Sequence, residues 1–393
     1  MHSTPPIPPF GRSVERLTIL GLPVADWRAR LLREHQFDPE PHEGRYRRAD
    51  GLSLSWSPEV WVSPDYFKAF VDRAARAESP VVAEVELSLP HVAYGRNRST
   101  YTAQAGERIR YALEASSAAA GAREPVPVQI PWSGVHSKVR QPGRLAEPLI
   151  MPLEPQLIWS VRHWCDVLAC NMMMLAVAVD RMPAESERGT NVHVHPTATV
   201  ERSRLGNGVR IGPYAYVSGS TIGDDVVIGN HGSVLGSWVG DGVLVQEYAS
   251  VKDSVVGAGA VVSFRTSVRT SVLFGACTSS APVVPRSVVG EDSFLSRGLA
   301  IAASALDGGP VWVWHRGRRI DTGMPLLGVA IGPGARLGNV SLPAGYEVPE
   351  GYYLAGRSVA RVAPNLPQRQ TLVETNGTFR RFGGPFDTKR DDP

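Results

Sequence analysis

The sequence predicts an α/β layer followed by a three-sided parallel β-helix, and three observations carry that prediction. The first is a beat of small aliphatic residues over 192–275. Val194, Val200, Leu205, Ile211, Val217, Ile222, Ile228, Val234, Val239, Val245, Val251, Val256, Val262 and Val268 follow one another in steps of five or six. A helix places apolar residues every three to four positions and a half-buried strand every second, so neither fits. The second is that the steps repeat as six, five, six, and each such triplet spans the interval at which Gly206, Gly223, Gly240 and Gly257 recur. A coil with three flat sides, each turning one aliphatic side chain inward, has that period, and such coils bury their faces only by stacking. The third is a strand–helix–strand alternation over residues 13–90, the signature of an α/β layer.

The elements follow in order. Residues 1–12 are Pro-rich and read as a loose leader; 17–20 reads as a strand, Gly21-Leu22-Pro23 as a turn, and 24–35 as an amphipathic helix with Trp27, Leu31 and Leu32 on one side. Residues 37–50 are polar and loop-like, and 52–56 and 60–62 read as strands. Ser63-Pro64-Asp65 opens a second helix to about Ala77, with a serine cap, proline at the first helical position and an acid in the first turn. Residues 81–89 alternate as a strand, and a helix is expected near 107–120. Residues 156–179, with Trp159, Trp164 and Met172-Met173-Met174, read as a long buried helix or pair of helices, the methionines being core. Asp224, Asp225, Asp241 and Asp253 fall at solenoid corners, where a short acid satisfies turn backbone. Pro282 and Pro285 break the beat and predict an inserted loop at 276–297, and the polar, Gly/Pro-rich stretch 363–393 predicts a wrapping or disordered tail. The domain plan is therefore a leader 1–12, an α/β domain 13–155, a helical linker 156–190, a β-helix 191–362 and a tail 363–393.

Composition bounds the partners. The chain has 393 residues, 43% of them hydrophobic, room for two or three domains. Its 41 basic and 38 acidic residues leave +3 without a clustered excess, so nothing points to nucleic acid or an anionic membrane. Cys165, Cys170 and Cys277 have neither metal-ligand spacing nor the number for a disulfide framework, which suits a reducing compartment. The N-terminus lacks a signal-type apolar core, and residues 167–179 are too short to span a bilayer. The expectation is a cytoplasmic protein.

Several segments carry a family resemblance. They are Leu20-Gly21-Leu22-Pro23-Val24 before a helix, Val60-Trp61-Val62-Ser63-Pro64 before another, and Asp166-Val167-Leu168-Ala169-Cys170-Asn171. A later run comprises Gly298-Leu299-Ala300-Ile301-Ala302-Ala303, Asp307-Gly308, Val311-Trp312-Val313, Ile320-Asp321-Thr322-Gly323 and Gly328-Val329-Ala330-Ile331-Gly332. Together they resemble the sugar-phosphate nucleotidylyltransferases with a C-terminal left-handed β-helix, the bifunctional enzymes that also acetylate an amino-sugar phosphate. The resemblance spans roughly residues 13–360, and only its β-helix part is specific. It implies a nucleotidyltransferase-like α/β domain ahead of a left-handed β-helix, and a homotrimer built through that helix. The donor it implies is acetyl-CoA or another acyl-CoA, and the small-molecule partner a sugar phosphate or nucleotide sugar.

The departures shape the functional expectation. No G-x-G-T-R-x-x-P precedes Leu20, only Phe10-Gly11-Arg12-Ser13, and Ser57-Pro58-Glu59 stands where the family's metal carboxylate belongs. Nucleotidyl transfer needs a phosphate cradle and a metal held by carboxylates, so the α/β domain reads as degenerate and Mg2+ is not expected. In the acetyltransferase half, the family's base falls on Phe264, its tyrosine on Ser267, its asparagine on Ala303 and its lysine on Gly309. A phenylalanine cannot accept a proton, which leaves His231 and His315 as stand-in bases. Arg286, Arg297 and Arg316 are candidates to meet a phosphate or coenzyme A, with Asp321, Thr322 and Gly323 in the family-like run. His315 follows Trp312-Val313-Trp314, read as the covered face of a hairpin in preference to an exposed aromatic patch.

Three functions remain open: acyl-CoA-dependent acyl transfer at the β-helix, a catalytically inactive trimeric scaffold or sugar-nucleotide-binding regulator, and zinc-dependent hydration. The last would stack His195 and His231 and take a third histidine from a neighbour, because Gly236 stands where this chain would supply it. No metal site is predicted within the chain itself.

Overall fold

The structure is a computed structural model that describes residues 6–38, 44–86, 108–117, 123–129, 135–139, 149–153, 156–315, 317–356, 371–375 and 378–381. The chain divides into two compact units, one of residues 1–6 and 12–177, the other of residues 7–11 and 178–393. Among the described residues no helix is long and apolar enough to cross a membrane.

The first unit is a small mixed sheet with few helices. Strands β1 (Thr18–Ile19) and β2 (Leu22–Pro23) form a hairpin across Leu20 and Gly21, both at positive φ. Helix α1 (Val24–Glu34) follows, burying Leu31 and Leu32. Strands β3 (Arg45–Arg47), β4 (Ser53–Trp56) and β5 (Val60–Val62) lead to helix α2 (Pro64–Ala75), and then to β6 (Val81–Glu86), β7 (Arg108–Ser116) and β8 (Val126–Gln129). The sheet order is β3-β4-β7-β6-β8, antiparallel except where β6 meets β8. Ser63 caps α2: its Oγ accepts the Tyr66 N–H at 3.2 Å and the Leu157 N–H at 2.8 Å. The buried side of α2 is Tyr66, Phe67, Phe70, Val71 and Ala74, and Phe67 stacks on Trp56 at 5.0 Å.

The helix expected near 107–120 is instead β7. Ile109, Tyr111, Leu113 and Ala115 are buried and the residues between them exposed, so period-two burial overrides the helix propensity of its Ala, Arg and Glu. Beyond it come β9 (Val135–Val139) paired with β10 (Leu149–Leu153), then β11 (Ile158–Ser160), which pairs with β5. Helix α3 (Trp164–Asp180) is single, and belongs to the first unit as far as Val177. Both ends of the Asp166–Asn171 segment have structural work. Asp166 accepts the Arg162 and His163 N–H groups at 2.9 Å each and Trp159 Nε1–H at 3.0 Å, while burial pushes its carboxyl up. Asn171 donates to the Thr18 and Val167 carbonyls and accepts the Leu20 N–H at 2.9 Å, tying α3 to the first hairpin.

The second unit is a parallel β-helix of three faces. The first runs from Glu187–Arg188 to Glu347–Val348, the second from His193–Val194 to Tyr353–Ala355, and the third from Thr199–Glu201 to Val283–Pro285. Successive coils pair at the interval of the glycine beat, with Leu205 on Ile222, Ile211 on Ile228 and Val217 on Val234, so the aliphatic side chains fill the interior. Corner glycines on the same beat are required by close stacking. A Cβ on Gly206 would lie 2.6 Å from the Gly223 carbonyl carbon, and one on Gly223 2.7 Å from the Asp241 nitrogen. The corner acids behave as expected: Asn207 N–H donates to Asp224 at 2.6 Å and Asp224 N–H to Asp241 at 2.8 Å.

Inside, a serine column adds a second ladder. Ser203, Ser220, Ser237, Ser254, Ser271 and Ser287 are buried. Each hydroxyl donates to a carbonyl two residues back, as Ser237 does to Leu235 at 2.7 Å, and accepts the N–H of the matching residue one coil on, as Ser237 does from Ser254 at 3.2 Å. Cys277 shares this interior, where burial pushes its thiol up to about 12.

Three expectations are corrected here. Residues 276–297 form no loop: Thr278–Ser279, Val283–Pro285, Val288–Val289 and Phe294–Leu295 all pair in the ladders, and the coil merely shortens by a single position, Val268 pairing with Val284. Pro282 fits because only its carbonyl is needed, accepting the Ser267 N–H at 2.9 Å. The insertion lies later, between Ala300–Ile301 and Ala330–Ile331, where Val288 pairs with Ala330, and it carries a hairpin of Trp312–His315 with Arg318–Asp321. Of the leader, residues 7–11 belong to the solenoid unit, where Phe10 is wholly buried and meets Phe274 edge-on at 5.6 Å. Of the tail, Thr371–Thr375 adds to the second face beside Tyr353–Ala355 and pairs with Thr378–Arg381, as its β-branched alternation favours. Its remaining residues, 363–370, 376–377 and 382–393, lie outside the described residues.

Candidate functional site

The corner between the second and third faces concentrates aromatic and ionisable side chains. Each coil turns there through a residue in the left-handed region: Tyr214 (φ 57°), His231 (φ 56°), Tyr248 (φ 58°) and Arg265 (φ 58°). Because these positions recur coil by coil, their side chains stack at the ladder spacing of about 4.8 Å. The Tyr214 and His231 rings are 5.0 Å apart and 14° from parallel, and His231 and Tyr248 are 4.8 Å apart and 10° from parallel. Phe264 meets Tyr248 edge-on at 5.9 Å. The Arg265 guanidinium lies 5.5 Å from the Tyr248 ring centroid and 4.8 Å from that of Phe264, and Arg297 reaches Phe264 at 5.9 Å. The column is open to solvent, with Tyr214 62% and Tyr248 50% exposed. Two phenol rings thus fix the plane of an exposed imidazole while its edge stays reachable. Phe264, standing in the next coil, is itself partly exposed, and Gln246 Oε1 accepts its backbone N–H at 2.9 Å.

The other sequence-derived candidates lie elsewhere. Arg297 follows four coils after His231, about 19 Å along the axis, so the structure does not bring the two together. Arg286 turns the corner between the third and first faces at φ 43°. His315 ends a strand of the inserted hairpin opposite Arg318. That hairpin corrects the covered-face expectation: Trp312 is 41% and Trp314 53% exposed, while Val313 and Ile320 between them take the buried side. The Arg319 guanidinium lies 4.7 Å from the Trp312 ring centroid. Asp321, Thr322 and Gly323 close the base of the insertion: Asp321 Oδ1 accepts the Gly323 N–H at 2.7 Å, and Thr322, buried, donates to the Val311 carbonyl at 2.6 Å. Arg316 lies outside the described residues.

His195 and His231 do not stack. His195 occupies the column continued by Gly212 and Gly229, two positions short of the His231 column, because their separation is two coils plus two residues. Among the described residues no three His, Cys, Asp or Glu side chains gather as a metal site would require. The sequence reading missed Tyr214 and Tyr248, although each stands one full coil from His231; the signal was the coil period applied to exposed positions as well as buried ones.

Residues 202–235 match the family model described as bacterial transferase hexapeptide (six repeats). Among curated proteins, no sequence matches the chain. Similar solved structures include a UDP-N-acetylglucosamine acyltransferase from Arabidopsis, 12% identical over 51% of this chain and 71% of that one, with a TM-score of 0.30. The polySia-specific acetyltransferase NeuO is 18% identical over 54% of this chain and 91% of its own, with a TM-score of 0.21. A mutant of AntD, an N-acyltransferase from Bacillus cereus, in complex with dTDP and coenzyme A, is 15% identical over 50% of this chain and 82% of its own, with a TM-score of 0.15. At these scores none of the three decides a function.

Proposed function

We propose that the β-helix transfers an acyl group from an acyl-CoA thioester to a small-molecule acceptor, with His231 as the general base. One observation carries this reading. His231 is exposed, is clamped between Tyr214 and Tyr248, and has no hydrogen bond to its ring nitrogens among the described residues. In the proposed step the imidazole takes a proton from the acceptor's amine or hydroxyl. The freed heteroatom attacks the thioester carbonyl, the carbon–sulfur bond breaks, and the coenzyme A thiolate takes the proton back from the imidazolium. Fixing the ring plane keeps the base in one geometry, so less orientation is lost at the transition state. The reading extends to a sugar phosphate or nucleotide sugar as acceptor, a homotrimer and a cytoplasmic setting.

The test is thiol release from acetyl-CoA with a panel of sugar phosphates and nucleotide sugars. His231→Gln is expected to lower the rate by about 10²-fold or more, the usual contribution of a positioned base, and His315→Gln to leave it near wild type. A His231→Gln enzyme turning over at the wild-type rate would sink the assignment.

A non-catalytic scaffold is the second reading, favoured by Phe264. It stands at the corner one coil beyond Tyr248, under the Arg265 and Arg297 guanidiniums, where a proton acceptor would otherwise be expected. That reading predicts no thiol release and no rise in melting temperature with acetyl-CoA, since a ligand that binds only the native state must stabilise it.

A further inference from the structure

Beside the aromatic corner, the second face holds a depression of about 630 Å³ over the first four coils. Its floor is low for a definable reason. The column that begins at His195 continues as Gly212 and Gly229 before a side chain returns at Gln246, leaving two coils without one. Gly229 is required by the stacking, since a Cβ there would lie 2.8 Å from the Glu247 nitrogen, and one on Gly212 would meet Asn230 at 2.6 Å from Oδ1 and 3.1 Å from its nitrogen. The result is a trough along the axis. His193 and Arg210, paired in register on the outward side of the second face, stand along one side, and Asn230 and Glu247 line the other.

The charge of the trough is uneven. Arg188, His193, His195 and Arg210 gather at its first-coil end, and its one acid, Glu247, lies at the far end. Arg188, exposed, occupies the ladder position that Leu205, Ile222 and Val239 fill in later coils, so in the first coil a cation replaces an aliphatic. A polar residue in a terminal coil explains one arginine there, but not a second on the next coil with two histidines between. Among the described residues neither the Arg188 nor the Arg210 guanidinium has a hydrogen bond or an ion pair. His195 is oriented as a donor: its Nδ1 accepts the Thr197 N–H at 3.2 Å, so the neutral ring carries its proton on Nε2. Two guanidiniums and an N–H donor thus line one depression, a lining that suits an anion, because guanidinium recognises planar and tetrahedral oxyanions through paired N–H groups.

We propose that this trough binds the anionic group, a phosphate ester or a carboxylate, of the acceptor molecule. The assignment to the acceptor rests on the reading of His231 as base; the anion binding does not. His231 belongs to the same coil as Gly229, one coil beyond Arg210 and two beyond His193, which places the anionic group about 5–10 Å from the base along the axis. The acceptor would therefore carry its nucleophile a few bonds from its charge, the size of a small phosphorylated or carboxylated metabolite.

The probes are inorganic pyrophosphate and malonate, each titrated calorimetrically at low salt into the wild-type protein and into Arg210→Gln, Arg188→Gln and His231→Gln variants. Pyrophosphate binding is expected, weakened roughly tenfold or more by either arginine substitution, the loss of one charge-assisted contact, and unchanged by His231→Gln. Binding of pyrophosphate alone would mark a phosphate acceptor; comparable malonate binding would mark a carboxylate. Both arginines are exposed, so the variants are expected to melt with the wild type, and the two sit on different coils, so one failed fold leaves the other. Silence from both probes, or binding indifferent to both substitutions, would overturn the trough. Arginine-dependent binding without acyl transfer would retain the trough and sink only the catalytic reading.

Discussion

The two units reach stability by opposite means. In the solenoid the ladder contacts join positions one coil apart and are then repeated, Val217 on Val234 and Ser220 on Ser237, so a single rung is one of many. In the first unit the contacts are single and long-range. Phe67 packs against Trp56 at 5.0 Å, Phe37 at 6.3 Å and His35 at 5.2 Å, and Asn171, near the end of the unit, reaches back to Leu20 near its start. The difference teaches where tolerance lies. A solenoid approximates a sum of coil and interface contributions, whereas a single aromatic core fails as a whole when its centre is removed.

The sharpest way to break that contrast is at the two centres. Phe67→Ala removes a wholly buried ring with three aromatic neighbours and is expected to destabilise the first unit by about 3–5 kcal/mol, read from urea unfolding followed by tryptophan fluorescence. Ser237→Ala deletes one rung of the serine column. It leaves the Ser254 N–H without its acceptor in the interior and is expected to cost about 2 kcal/mol by the same measurement. If Ser237→Ala proves as damaging as Phe67→Ala, the coils do not share the load and the contrast fails.

The same difference decides what could be read from the sequence. The solenoid's inward positions repeat a local rule, so Val194 to Val268 declare themselves by spacing alone. The β7 strand did not, because Arg108–Ser116 is rich in helix formers and becomes a strand only through pairing with β4 and β6, partners distant in sequence. Pro282 misled for a related reason. A proline breaks the expected pattern, yet a corner that needs only a carbonyl accommodates it, and nothing nearby in sequence says which group the corner needs. At the candidate site His231 was legible as a stand-in base beside His315. Its Tyr214 and Tyr248 neighbours and the glycine trough beside it required the coil period to be read on outward positions, where no hydrophobic beat draws attention to them.

The smallest effect tests whether the corner acids act by charge or by shape. Asp241 accepts the Asp224 N–H at 2.8 Å, and the column already contains Asn207, whose Oδ1 accepts the Thr190 N–H at 2.9 Å in the same way. An amide oxygen therefore serves the turn as well as a carboxylate. Asp241→Asn is expected to leave the melting temperature within experimental error, while Asp241→Ala, which leaves an exposed N–H to water, is expected to cost about 0.5–1 kcal/mol. A clear loss in the asparagine variant would show that the stacked carboxylates contribute through their charge. Equal behaviour of the asparagine and alanine variants would show that this corner bond contributes nothing to the solenoid beyond its backbone ladders and its aliphatic and serine columns.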